Sequence, residues 1–216
     1  MNRDLTDYRK SYDKKTLEED TLEKSPFVLF STWFKEVEEA GGVEEANAMT
    51  ITTNGLDGFP KARIVLLKHY DEKGFVFYTN YESEKGKAIA ANNKVCISFF
   101  WPNLERQVII KGEVAKISNE KSNEYFQSRP RGSQLGAWAS AQSNVISNRE
   151  VLEKTLANLE EKYKDTIIPK PDFWGGYCIK PVTFEFWQGR PNRLHDRIRF
   201  ESEDNKNEWK IERLSP

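Results

Sequence analysis

Four groups of residues in this sequence have the types and spacing to do chemistry. In Asn192-Arg193-Leu194-His195-Asp196-Arg197, strand alternation would place Arg193, His195 and Arg197 on one face. An imidazole between two guanidiniums is pushed toward its neutral form, because like charges disfavour the imidazolium. Such a histidine suits proton acceptance near neutral pH; the alternative is a hydrogen-bonded histidine with Asp196 balancing its charge. Around Arg129-Pro130-Arg131-Gly132-Ser133, with Tyr125 close upstream, guanidinium and hydroxyl donors could clamp a phosphate or form a solvated loop. Arg63 and Lys68 flank an apolar run, on opposite faces if the strand is regular. They are either anion ligands or solvated strand-end charges. Ser83 and Lys85 stand at an expected helix N-terminus, where free N–H groups attract anions, although ordinary capping also explains Ser83.

Other chemistries lack their residues. There is no GxxxxGK[ST] loop, no GxGxxG after a strand, no GxSxG turn and no HExxH helix. A phosphorylated ligand must therefore be gripped by side chains. Two histidines, His69 and His195, and two distant cysteines without a CxxC pairing argue against any metal site. Cys96 and Cys178 lie in apolar runs and read as buried free thiols of a cytoplasmic protein. The 33 basic and 34 acidic residues nearly cancel, which argues against a general nucleic-acid binder. No apolar run reaches the roughly 18 residues of a membrane span, and the N-terminus has no apolar signal core.

The elements that must position these residues follow from the hydrophobic pattern. Residues 1–24 are polar and read as a mobile arm. Ser25-Pro26 opens a helix that Gly41-Gly42 stops, with Phe27, Phe30, Phe34 and Val37 as its buried face. Strands are expected at Ala48–Thr53 and Lys61–Lys68, the latter forming a hairpin with Phe75–Thr79. Further strands are expected at Val95–Phe100 and Arg106–Ile117. Helices are expected after Ser83, over 119–127, and after a capping box at Ser147–Glu150, the last with Leu152, Leu156, Leu159 and Tyr163 buried. From Trp174 the chain is strand-like again. This order does not alternate as a βαβ series would. It fits a mainly β, α+β fold, an antiparallel barrel with peripheral α-helices, over a single domain at 25–216 of a chain of 25.2 kDa. A chain of this length buries about 70% of its unfolded surface and needs no disulfide or metal staple.

Taken in order, several segments carry a family likeness. They are Arg63–Lys68, Phe77-Tyr78-Thr79-Asn80, Leu104–Val108, Tyr125–Pro130, Ser133–Ala137, Gln142-Ser143, Phe173–Tyr177, Glu185–Gly189 and Asn192–Arg197. With them the chain closely resembles the pyridoxine/pyridoxamine 5′-phosphate oxidases, FMN enzymes that make pyridoxal 5′-phosphate. The resemblance implies a split antiparallel β-barrel homodimer, with FMN at the subunit interface and residues 174–216 as a C-terminal dimerisation and active-site region. It implies FMN contacts from Arg63, Ile64, Val65, Leu66, Leu67, Lys68, Tyr78, Thr79, Ser83, Lys85, Gln107, Gln142, Ser143, Trp187 and Arg197, some of them from the partner chain. It gives the substrate phosphate to Lys68, Tyr125, Arg129 and Ser133, and the pyridine ring to Arg193, Leu194 and His195. Arg9 and Tyr12 match a lid segment more loosely.

The implied reaction moves a hydride from substrate C4′ to flavin N5, with dioxygen as the final acceptor and hydrogen peroxide as product. Arg193 would position, because a guanidinium is a poor base, and His195 would be either the proton acceptor or a hydrogen-bond partner. One departure stands out. The family usually has Ser-Arg-Lys where this chain has Ser83-Glu84-Lys85. Glu84 therefore either points to solvent or is offset by a nearby cation such as Lys87, and weaker FMN binding is expected. Two other readings are a different split-barrel flavin oxidoreductase and a non-catalytic carrier of flavin or pyridoxal 5′-phosphate.

Overall fold

A computed structural model describes residues 3–203 and 208–216. Its strands are β1 (Ala48–Asn54), β2 (Pro60–Leu66), β3 (His69–Asp71), β4 (Gly74–Asn80), β5 (Lys94–Trp101), β6 (Arg106–Lys116), β7 (Trp174–Gln188), β8 (Asp196–Glu203) and β9 (Glu208–Arg213). Its helices are α1 (Pro26–Ala40), α2 (Glu84–Ala91), α3 (Asn119–Ser128), α4 (Arg131–Ala139) and α5 (Glu150–Lys162). The strands hydrogen-bond in the order β2-β1-β5-β6-β7-β4-β3, with β8 on β7 and β9 on β8. By its internal contacts the chain divides into two compact units. One comprises residues 1–50, 97–111 and 181–216; the other comprises 51–96 and 112–180.

The first unit is built on aromatic side chains. Helix α1 buries Leu29, Phe30, Trp33 and Val37, while Phe27 and Phe34, expected in that face, are half-buried. The buried stripe is thus centred on Phe30 and Trp33, with Leu29 and Trp33 replacing the two phenylalanines. Trp33 meets Phe186 edge-on at 5.2 Å and Phe30 meets Phe99 at 5.1 Å. Antiparallel β7 and β8 pair Trp187 with Arg197 and Gln188 with Asp196. The buried Arg106 guanidinium lies 4.2 Å from the Trp33 ring centre, donates to Gln188 Oε1 at 2.9 Å and pairs with Glu36 at 2.6 Å. Residues 3–24, read as a mobile arm, have definite ties within this unit. The buried carboxylate of Glu105 accepts from the backbone N–H groups of Asp13 and Lys14, and Leu17 is buried.

In the second unit, β4 pairs antiparallel with β7 from Phe75↔Ile179 to Asn80↔Trp174. The hairpin with β4 forms around Glu72-Lys73 as expected, but its paired strand is the short β3 with Lys68, whose backbone N–H donates to the Val76 carbonyl at 2.9 Å, while β2 ends earlier, at Leu66. Helices α3 to α5 close over Phe126, Leu135, Ile168 and Trp174. Leu156, Leu159 and Tyr163 pack there but stay half-buried, and α5 buries no residue fully, so the expected buried stripe is a half-covered one. The expected capping box does not form: α5 starts at Glu150 after Arg149, which pairs with Glu153 instead. Helix α4 falls where a turn was expected; Gly132 and Gly136 weaken its sequence signal. Neither cysteine forms a disulfide, and both are half-buried, less enclosed than their apolar neighbours suggested. No helix among the described residues is long and apolar enough to cross a membrane.

Candidate functional site

The second unit contains a cavity of 620 Å³. Its walls include Ile64, Val65, Leu66 and Lys68 from β2 and the segment after it, Tyr78 and Thr79 from β4, and Lys85 from α2. Tyr125 from α3, Arg129, Ser133 and Ala137 from the following turn and α4, Gln142 and Trp174 complete much of the lining. A pocket of this size and mixed polarity suits a small organic ligand.

Two cationic groups stand within this unit. Lys85 Nζ lies 3.3 Å from Thr79 Oγ1 and 3.2 Å from Gln142 Oε1. Burial, helped by the Arg63 charge, lowers the Lys85 pKa, and Glu84 opposes that shift. Arg63 donates to Thr53 Oγ1 at 2.8 Å, and burial lowers its pKa too. Glu84 is exposed and is offset by a nearby cation, as expected, although that cation is Lys61 and not the Lys87 given as the example. Ser83 caps α2: its buried hydroxyl accepts from Gly86 N–H and donates to the Asn80 carbonyl, so both hydrogen-bonding roles are in use.

The other group is Arg129. Its guanidinium carbon lies 4.7 Å from the Trp174 ring centre and 5.6 Å from that of Phe126, a cation–π seat that also desolvates it. Burial lowers its pKa, against the favourable influence of Tyr125. Its Nη1 is buried and has no hydrogen-bond partner among the described residues. Buried donors are nearly always satisfied, so this orphan asks for an acceptor. Tyr125 stacks on Tyr78 at 3.9 Å beside it. The buried Gln134 amide donates to the carbonyls of Phe126, Gln127 and Arg129, fixing the end of α3 from which Arg129 projects. Arg131 turns away, to the carbonyls of Tyr163 and Thr166. Gln134 and Trp174 were not foreseen as site residues; no local pattern marks a glutamine as a cap for a neighbouring helix.

The first unit has its own cavity, of 680 Å³, lined by Tyr8, Arg9, Lys10, Ser11, Tyr12, Arg190, Asn192, Arg193 and His195. Arg193, His195 and Arg197 do not alternate along one strand face. Residues Pro191–Arg193 form a 3-10 turn with left-handed Asn192 (φ 58°) and Arg193 (φ 63°), and β8 begins only at Asp196. Proline fixes φ near −65°, and asparagine tolerates the left-handed region, so Pro191-Asn192 turns the chain before it can extend. The His195 pKa is lowered, as the flanking arginine suggested, but burial is the larger cause; Arg193 adds to it and Asp196 opposes it. The imidazole lies 4.6 Å from Trp187 and 5.9 Å from Tyr12, centre to centre. Arg197 is held by Glu185 at 2.9 Å and by the Ser215 carbonyl. Leu194 is exposed, Leu67 is buried outside the lining, Gln107 lies half-buried on β6 of the first unit, and Ser143 is exposed with φ 74°. Among the described residues no cluster of His, Cys, Asp or Glu could hold a metal ion.

The comparisons with known proteins bear on the whole chain. Residues 34–163 match the family model described as pyridoxamine 5′-phosphate oxidase, and residues 174–216 match the pyridoxine 5′-phosphate oxidase C-terminal dimerisation region. The pyridoxine/pyridoxamine 5′-phosphate oxidase of Christiangramia forsetii is 57% identical over 216 residues, all of both chains. That of Flavobacterium johnsoniae is 58% identical over 212 residues, 98% of this chain and 99% of the relative. The crystal structure of PhzG from Burkholderia lata superposes with a TM-score of 0.87 at 26% identity, covering 96% of this chain and all of that one. A pyridoxamine 5′-phosphate oxidase-related FMN binding protein from Nostoc punctiforme shares the fold at a TM-score of 0.70 and 16% identity, over 90% of this chain and all of that one. The antiparallel, mainly β architecture with peripheral helices is therefore the split-barrel fold expected from the sequence. With matches at this identity along its full length, the chain belongs to the pyridoxine/pyridoxamine 5′-phosphate oxidase family.

Proposed function

We propose that this protein oxidises pyridoxine 5′-phosphate or pyridoxamine 5′-phosphate to pyridoxal 5′-phosphate, using FMN and dioxygen and releasing hydrogen peroxide; from the amine, water hydrolyses the imine first formed and ammonia leaves. The observation that carries the reading is Arg129, a desolvated guanidinium with an unpartnered buried Nη1 in the wall of an aromatic-lined cavity. A phosphate supplies the acceptor this group lacks, and Lys68 and Ser133 line the same cavity. Oxidising a phosphorylated substrate with a phosphorylated cofactor needs two anion sites. Arg63 and Lys85 supply the second, so the residues fit FMN without a glycine-rich loop.

When bound, FMN supplies the hydride acceptor; the protein supplies orientation and electrostatics. Lys85 and Arg63 hold the cofactor phosphate, and Thr79 and Gln142 hold Lys85 in place. Ile64, Val65 and Leu66 offer an apolar wall to the flavin ring. Tyr125, Arg129, Ser133 and Lys68 hold the substrate phosphate. Arg193 and His195, which line one cavity with Arg9 and Tyr12, are assigned to the pyridine ring by the family resemblance. The C-terminal dimerisation region supports a homodimer, and the resemblance assigns FMN to its interface, with Gln107, Trp187 and Arg197 contributing.

The Lys61–Glu84 pair gives a direct test of the cofactor half of this reading. Glu84 places a negative charge next to the proposed phosphate ligand and keeps Lys61 engaged. Apo-protein titrated with FMN should quench flavin fluorescence. Glu84→Arg should tighten binding by about two- to tenfold, within the ~1.4 kcal/mol that one decade represents. Absence of quenching in the wild type would contradict FMN binding, and equal or weaker affinity in the variant would contradict the role of Glu84.

A further inference from the structure

The segment bearing His195 is held by a set of contacts that fix which ring nitrogen carries the proton. The backbone N–H of Arg190 donates to His195 Nδ1 at 3.1 Å. A nitrogen that accepts this bond keeps its lone pair, so the neutral ring carries its hydrogen on Nε2. Taking up a proton at Nδ1 would set N–H against N–H. Accepting one at Nε2 as a free base requires the opposite tautomer, which breaks the same bond.

Arg190 is itself tethered. Its Nη1 lies 3.1 Å from Asp196 Oδ2 and 3.8 Å from Glu18 Oε1. Asp196 is buried, at 9% exposure, and binds three further groups of the chain, counting Arg190. Oδ2 also accepts from the Leu17 backbone N–H at 3.1 Å, and Oδ1 accepts from Arg213 Nη1 at 2.8 Å. One carboxylate thus ties the segment before α1, the Arg190 turn and the end of β9. Between Arg190 and His195 the chain makes its left-handed turn at Asn192 and Arg193, so the reach from N–H to Nδ1 depends on where Arg190 is anchored.

We propose that His195 acts in this site as an Nε2–H hydrogen-bond donor and not as a proton acceptor, with Asp196 and Arg190 as the positioning residues that hold this tautomer. The inference rests on the reading of His195 as a substrate-side residue. Of the two roles the sequence left open, proton acceptor or hydrogen-bond partner, it selects the second. A neutral donor suits an electron-rich oxygen or nitrogen on the substrate, which it can orient without exchanging protons.

Histidine-selective ¹⁵N labelling of the FMN-loaded full-length protein tests it. Long-range ¹H–¹⁵N correlation distinguishes the two tautomers and the imidazolium, and His69→Gln, at an exposed surface pair with Asp71, assigns the two signals. At pH 7.5 His195 should show the Nε2–H pattern, with and without added pyridoxal 5′-phosphate. An Nδ1–H pattern or an imidazolium would overturn the proposal. Asp196→Asn should mix the tautomers and lower kcat about tenfold while FMN content is retained. If that variant does not fold, Arg190→Gln, which keeps the backbone N–H but releases its anchor, should do the same. An unchanged tautomer in the folded variant would remove Asp196 and Arg190 as positioning residues. Full turnover in His195→Gln, with the wild-type tautomer as expected, would instead overturn the substrate-side reading of His195.

Discussion

Arg129→Ala raises the KM for pyridoxine 5′-phosphate about 10- to 150-fold, the equivalent of the ~1.5–3 kcal/mol that a hydrogen bond to a charged group contributes. FMN content stays at the wild-type level, because the cofactor phosphate is assigned to Arg63 and Lys85. The size of the effect follows from how Arg129 is prepared. Its guanidinium is desolvated over Trp174 and Phe126, and the chain at its base is fixed by the Gln134 amide. It therefore loses little freedom when a phosphate arrives. Arg129→Lys restores the charge but not the planar fork or its stacking, and recovers only part of the affinity. Steady-state kinetics with FMN in excess make the measurement. A fall confined to kcat, with KM intact, would contradict the assignment.

Trp174→Ala has the largest expected effect on stability. Trp174 is 6% exposed in the core of the second unit, meets Phe126 edge-on at 5.2 Å and stacks on Tyr78 at 5.5 Å. Truncating a buried aromatic of this size costs about 3–5 kcal/mol. At the 2–4 °C per kcal/mol typical of a chain of this length, Tm falls by roughly 6–20 °C. The same ring is the floor under Arg129, so KM for the phosphorylated substrate rises as well. Trp174→Phe keeps an aromatic face and should recover most of both losses. Thermal unfolding of the three proteins, with and without FMN, checks the first effect. A Tm within about 2 °C of wild type for Trp174→Ala would mean that the cluster does not carry this unit.

The sequence made the strands and most helices legible because their apolar periods and stop signals are local. Pro26 and Gly41-Gly42 bound α1, and Ser83 caps α2, as expected. Features set by partners distant in sequence were not legible. The buried face of α1 was misplaced because four aromatic residues compete for it, and only the packing of Trp33 against Phe186 and Arg106 decides the outcome. Helix α4 was hidden by its glycines. Glu84 was identifiable as a departure from the family, but Lys61 lies 23 residues away and its pairing needs the fold.

The same holds for the chemistry-bearing residues. Arg63, Lys68, Lys85, Tyr125, Arg129 and Ser133 were recognisable by residue type and by resemblance. Arg131, equal to Arg129 in type and two positions away, faces other carbonyls, a difference set by the start of α4 between them. The Arg193–Arg197 alternation failed because a proline–asparagine turn interrupts the strand, and with it failed the simple picture of an imidazole flanked on one face. Asp196 was read as a charge balance for His195 and does oppose the lowering of its pKa; its side chain also ties Leu17, Arg190 and Arg213, contacts that span most of the chain and were not legible.

The central claim is tested most directly by an aerobic assay of the purified protein with added FMN, following pyridoxal 5′-phosphate and hydrogen peroxide together. Equimolar formation of both from pyridoxine 5′-phosphate is expected, with loss of turnover when FMN is stripped and little turnover of pyridoxine, which has no phosphate for Arg129 to hold. No turnover of either phosphorylated substrate by protein carrying bound flavin would contradict that claim.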